Sequence, residues 1–90
     1  MYQLVYYVTE TIERKGNERP EVFENEYHYS NEFRLRRNAL HYLLEIVQSE
    51  YREDGFGTEQ IVGGINCYKS EKIENGGRKI IEITIKVEKV

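Results

Sequence analysis

Between residues 30 and 54 the apolar positions recur with helical spacing. At 100° per residue, Leu35, Ala39, Tyr42, Leu43 and Ile46 form one side of an apolar arc, and Phe33, Leu40, Leu44, Val47 and Tyr51 form the other. Arg34, Arg37, Asn38, His41, Glu45, Gln48, Ser49 and Arg52 fill the opposite face. The pattern predicts one long amphipathic helix over about residues 30–54. Ser30 is its expected N-cap, Glu32 lies in its first turn, and Gly55 is a natural C′ residue. The apolar arc spans roughly 200°, about twice the stripe needed to dock on a core.

Elsewhere the period is two. Tyr2 to Glu13 (YQLVYYVTETIE) reads as a first strand and Val22 to Tyr29 (VFENEYHY) as a second. A Gly16-Asn17 turn between them sets Leu4 opposite Tyr29, Tyr6 opposite Tyr27 and Val8 opposite Asn25. Those residues with Tyr2 and Phe23 make a core face, which leaves Val5, Tyr7, Thr9, Glu24, Glu26 and His28 on a wet one. The glycine-punctuated stretch GFGTEQIVGG (55–64) reads as a connection anchored by Phe56, Ile61 and Val62, with room for a short strand around Gln60–Val62. Ile65 to Ile73 and Arg78 to Val90 then form a hairpin about Glu74-Asn75-Gly76-Gly77. A type I turn with a glycine bulge puts Cys67 opposite Ile83 and Ile65 opposite Ile85.

The element order is ββαββ. It predicts an α+β two-layer sandwich over residues 1–90 as one domain, a four-stranded, mostly antiparallel sheet with one long helix on one face. The most apolar strands, first and last, belong in the middle, which favours the order 2-1-4-3 over the all-antiparallel 2-1-3-4.

Composition narrows the function classes. The net charge is −3, so attraction to a polyanion needs a local basic patch. A single Cys67 excludes an intramolecular disulfide and suits a reducing compartment. With no signal-like segment and no apolar run near the ~18 residues of a membrane span, the expected location is cytoplasmic, without membrane. Eight tyrosines and no tryptophan suit half-buried strands and contact surfaces.

The chain has no phosphate-cradling loop, no HExxH helix, no paired CxxC and no calcium loop. Cys67 falls on the core side of its strand and both histidines on wet faces, so it reads as a small buried hydrophobe rather than a nucleophile. No enzymatic activity and no cofactor are expected.

Three constellations carry functional expectations. The leading one is the helix flank Leu35, Tyr42 and Ile46, recurring at i, i+7 and i+11, with Arg36 inside the apolar arc. Either Phe56, Ile61 and Val62 fold back over it, or it contacts a second copy of the chain or another protein. That makes the chain a small protein-binding or homodimerising domain.

The second is nucleic-acid binding through Arg34, Arg36 and Arg37, with Arg14, Lys15 and Arg19 at a hairpin tip. The helix arginines oppose the macrodipole, as Glu50, Glu53 and Asp54 do at the other end. Internal pairing of Glu32 with Arg36 would compensate; otherwise an external anion or acidic partner would. The third is a metal or acid–base site at Glu24, Glu26 and His28, which period two places on one strand face. The aromatics of the open face, Tyr7 and Tyr68, stand among acids, which disfavours stacking of bases there.

Overall fold

The computed structural model describes residues 1–16 and 19–90, with the backbone alone at residue 75. The elements are β1 (Tyr2–Glu13), β2 (Glu21–Phe33), α1 (Arg36–Ile46), β3 (Gly57–Ile61), β4 (Gly64–Lys72) and β5 (Arg78–Lys89). The helix runs on as a wider π-type segment, Val47–Arg52, and a 3₁₀ turn, Glu74–Gly76, leads into β5. The strands pair antiparallel throughout, in the order β2-β1-β5-β4-β3. The α+β class with one helix holds, but the sheet has five strands and the element order is ββαβββ.

The extra strand sets the direction of the sheet's centre. β2 ends at Phe33, level with Tyr2, whereas β3 starts at Gly57, whose row passes through Tyr68 and Glu82 to Thr9. The helix therefore carries the chain back along the direction of β1. A two-strand hairpin entered from there would end parallel to β1. The strand Gly57–Ile61 reverses the chain once more and makes the central β1–β5 pair antiparallel. The glycine-rich connection thus holds a full edge strand, displaced from the expected Gln60–Val62; Val62 and Gly63 form the turn that follows.

The helix is shorter than its periodicity implies. Ser30 is not its N-cap: Asn31 to Phe33 stay in the ladder, with Glu32 paired to Gln3 and Phe33 to Tyr2. Sheet pairing and the packing of the Phe33 ring 5.6 Å from that of Tyr42 outweigh helical propensity there. Leu35 takes the N-cap position in extended conformation, with no side-chain cap and no acid in the first turn. Glu32 therefore cannot serve the dipole.

The far end follows expectation. Gly55 adopts φ 87°, its N–H donates to Arg52 O at 3.1 Å, and the Phe56 N–H donates to Tyr51 O at 3.0 Å. These are the paired bonds of a Schellman cap, completed by the edge-on packing of Phe56 against Tyr51 at 5.3 Å. Lys69 lies over the Phe56 ring and donates to Asp54 O at 2.9 Å, which places a cation at the helix's negative end.

The core forms where the helix lies on the sheet. Leu4, Ala39, Leu43, Ile46, Val47, Ile65, Cys67, Ile83 and Ile85 are buried together, ringed by half-buried Tyr2, Tyr6, Val8, Tyr29, Phe33 and Tyr42. Cys67 pairs with Ile83 and Ile65 with Ile85, as the hairpin register requires. In the first hairpin Tyr6 meets Tyr27 and Val8 meets Asn25, but Leu4 does not face Tyr29. The register shifts between Gln3, paired with Glu32, and Val5, paired with His28. β2 carries two surplus residues across this step, and Gln3 Nε2 donates to Tyr29 O at 2.9 Å to bridge it. Asn17 of the anticipated turn lies outside the described residues.

Val5 corrects the picture of a wet second face, for it is 2% exposed. Its cross-strand neighbours are His28 and Lys86. The Tyr7 hydroxyl donates to Glu88, which pairs with Gln3, so the Tyr7 ring lies along the sheet across the row of Val5. Lys86 sits over that ring and His28 bonds Gln3. A canopy of polar-tipped side chains thus dries one apolar residue on the open face.

Candidate functional site

The helix flank singled out by periodicity is divided by the tertiary structure. Ile46 is only 7% exposed and belongs to the core. Tyr42 is half-buried, its ring tilted against those of Tyr29 (5.4 Å) and Phe33, and its hydroxyl is 2.7 Å from that of Tyr29. The extended end of β2, rather than residues 56, 61 and 62, covers this flank. Leu35 remains exposed.

The surplus of the apolar arc emerges on the opposite flank. Leu44 is 58% exposed, and beside it a cleft of about 280 Å³ opens between α1 and the β3–β4 turn. Leu40, Leu43, Leu44, Ile61 and Ile65 line it, with Gly63 and Gly64 in its wall and Arg36 and Gln60 at its polar rim. At the tip of the turn Val62 is 98% exposed. Sequence reasoning placed Leu44 on the arc and missed its role, because the cleft's second wall comes from a strand some twenty residues away in the chain. The place of Leu44 on an arc about twice as wide as one docking stripe was the available signal.

Of Glu24, Glu26 and His28, the structure joins two. His28 Nε2 is 2.7 Å from Glu26 Oε2, and its Nδ1 is 3.1 Å from Gln3 Oε1, so both ring nitrogens have protein partners. Glu24 stands apart, beside Tyr7 and Thr9. Among the described residues no group of three or more His, Cys, Asp or Glu is disposed around a common point, and no polar or charged residue is buried. Nucleophilic chemistry finds no support at Cys67, where burial in the core pushes the thiol pKa up, with Arg52 a smaller opposing influence.

The basic residues fall into two groups at opposite ends of the sheet. Arg34, Arg36 and Arg37 follow Phe33, at the Tyr2 end of β1; Arg14 and Lys15 follow Glu13, at its other end. The 12-residue β1 separates them by about 36 Å, at roughly 3.3 Å per residue. Among the described residues, no carboxylate lies within 4 Å of Arg34, Arg36 or Arg37; the Glu32–Arg36 pair does not form because Glu32 is in the sheet. At the far end tertiary structure adds Lys72 and Arg78 to Arg14 and Lys15, around a shallow hollow that also holds Glu13, Ile73, Gly76 and Gly77. Arg14 is partly neutralised by Glu21 at 3.7 Å.

The tyrosines are the groups whose ionisation the fold changes most. Burial raises the pKa of Tyr6 and Tyr51, and the bond with Tyr29 raises that of Tyr42. Tyr7 is pushed up to about 12, first by its bond to Glu88 and then by desolvation. The folded chain therefore keeps phenolic protons that the unfolded chain releases near pH 10. This contribution to stability is complete below pH 10 and disappears as pH rises through the folded values. Melting temperature should fall between about pH 10 and 12, and the fall should be smaller in Tyr6→Phe. An unchanged pH profile in that variant would count against the assignment.

Comparison with known proteins gives no match to any family model, curated protein or solved structure. Among the described residues no helix is long and apolar enough to cross a membrane. The functional reading rests on the surface itself.

Proposed function

We propose that this chain is a non-enzymatic protein-binding domain, and that its contact surface is the cleft between α1 and the β3–β4 turn. The carrying observation is Leu44, a large apolar side chain exposed on the rim of an apolar cleft beside Arg36, which has no carboxylate within 4 Å among the described residues. Val62, at the tip of the adjoining turn, adds exposed apolar surface beside the cleft. A partner presenting an apolar side chain next to an Asp or Glu satisfies both features. The apolar group displaces water from Leu40, Leu44 and Ile61, and the acid supplies the countercharge Arg36 lacks.

A selection from a random peptide library tests this reading. Enriched peptides should pair an apolar residue with an adjacent acid. Leu44→Glu should weaken their binding at least tenfold, since burial of one such side chain is worth about 1.5–3 kcal/mol. Enrichment of no peptide, or binding indifferent to Leu44, overturns it. The nucleic-acid alternative is favoured by one observation, the convergence of Lys72 and Arg78 with Arg14 and Lys15. It predicts salt-sensitive binding to single- or double-stranded probes, lost in Arg78→Ala and retained in Leu44→Glu.

A further inference from the structure

Five of the eight tyrosines gather at one place on the helix side of the sheet. Tyr6 and Tyr27 are cross-strand partners on β1 and β2, Tyr29 follows on β2, and Tyr51 comes from the π-type segment after α1. With Val8 they line an open hollow of about 450 Å³. Tyr42 stands behind as the fifth, its hydroxyl 2.7 Å from that of Tyr29, and so fixes that wall.

The surroundings of the hollow are negative. No lysine or arginine lines it, and His28 at its rim directs its ring nitrogens to Glu26 and Gln3. β2 carries four glutamates and no lysine or arginine. Glu50, next to Tyr51 in the chain, lies within electrostatic reach of the rings. Burial comes first in raising the pKa of Tyr6 and Tyr51, and the charge of Glu50 adds to it in both. Elsewhere the chain sets its own cations on aromatic rings, Lys69 over Phe56 and Lys86 over Tyr7. Among the described residues none lies over Tyr6, Tyr27, Tyr29 or Tyr51.

We propose that this hollow binds a methylated ammonium group, a cation such as trimethylammonium with no N–H to donate. The faces of the tyrosine rings carry the negative part of the ring quadrupole and attract a cation placed over them. A bare ammonium would give up water from three donors and find few acceptors in exchange, because the Tyr29 hydroxyl is already engaged by Tyr42. Methyl groups remove those donors and offer apolar surface for the rings and Val8 to cover. The carboxylates of Glu50 and β2 draw the cation towards the hollow from a distance.

Titration with tetramethylammonium, choline and the neutral choline isostere 3,3-dimethylbutan-1-ol, followed by the tyrosine ring resonances in NMR spectra, tests the site. Both cations should shift the ring signals of Tyr6 and Tyr27 saturably. The alcohol should bind about fivefold more weakly, the factor that corresponds to one exposed cation–π contact of about 1 kcal/mol. Tyr27→Leu keeps apolar bulk and removes one ring from an exposed position, so the fold is retained and circular dichroism verifies it. It should weaken tetramethylammonium binding about fivefold, whereas Tyr27→Phe keeps the ring and the affinity. N-acetyl-trimethyllysine amide, titrated beside choline, presents the same group from a side chain rather than a headgroup, and the tighter of the two names the source. Its unmethylated counterpart should bind more weakly than either. Absence of saturable shifts, equal affinity for the alcohol, or binding indifferent to Tyr27→Leu overturns the proposal. Leu44→Glu lies outside the hollow and should leave these titrations unchanged, so this site and the proposed function fail independently.

Discussion

Leu43→Ala should remove about 2–5 kcal/mol of stability, a large share of the roughly 5–13 kcal/mol typical of a chain this length. Leu43 is 1% exposed and sits where α1 meets Leu4, Ile65, Cys67 and Ile85. Those neighbours belong to β1, β4 and β5, whose backbones are held in ladders, so the cavity left by alanine cannot collapse without distorting the sheet. Leu44→Ala, one residue further along the same helix, removes the same atoms from a largely exposed position and should cost less than about 0.5 kcal/mol. Urea unfolding of both variants checks the pair. The midpoint should fall steeply for Leu43→Ala with little change in slope. Equal midpoints would mean that the arc is not divided between core and surface as described.

Gly64→Ala should be the most damaging glycine substitution. A β-carbon at position 64 would stand 2.1 Å from Ile85 O and 3.0 Å from the Lys86 Cα. Both are backbone atoms of β5, so no side-chain rotation relieves the contact; β4 and β5 must move apart at a point where Ile85 is fully buried. Overpacking of this kind costs about 1–3 kcal/mol, and more where a ladder bond is lost. Gly64 also forms part of the cleft wall, so the same change should weaken peptide binding to the folded protein. Gly63→Ala is the control. That residue has φ 77° but open space around it, and the change should cost about 1 kcal/mol while leaving the β4–β5 ladder intact. Amide hydrogen exchange separates the two outcomes: protection across Ile65–Cys67 and Ile83–Ile85 should drop in Gly64→Ala alone.

Much of the fold was legible because local rules converged with what the sheet required. Period two located β1 and β5, and the Glu74–Gly77 turn placed Cys67 against Ile83 and Ile65 against Ile85. Glycine at 55, after a helical run, signalled the C′ position, which the structure completes as a Schellman cap. The N-terminal boundary of the helix failed for a non-local reason. Ser30 has the chemistry of a cap, but Glu32 and Phe33 gain more from pairing with Gln3 and Tyr2, about thirty residues away in the chain.

The same limit governs the candidate sites. Periodicity identified the surplus of the apolar arc, but it could not say which flank the extended β2 would cover. Phe33 and Tyr29 claimed Tyr42, and the opposite flank was left to form a cleft with the β3–β4 turn. Lys72 and Arg78 joined Arg14 and Lys15 because two hairpin tips lie side by side, a proximity absent from the linear order.

By itself the sequence determined the α+β class, the one helix, the central placing of the first and last strands and the registers of both hairpins over most of their length. These follow from side-chain periods and turn chemistry, which act over a few residues. Tertiary structure alone decided that Gly57–Ile61 completes the sheet, that Val5 is dry, that Leu44 rather than Ile46 faces outward, and that β2 is the long exposed edge. Each depends on which distant segment reaches a surface first and satisfies its backbone or covers its apolar area, a competition that local pattern does not encode.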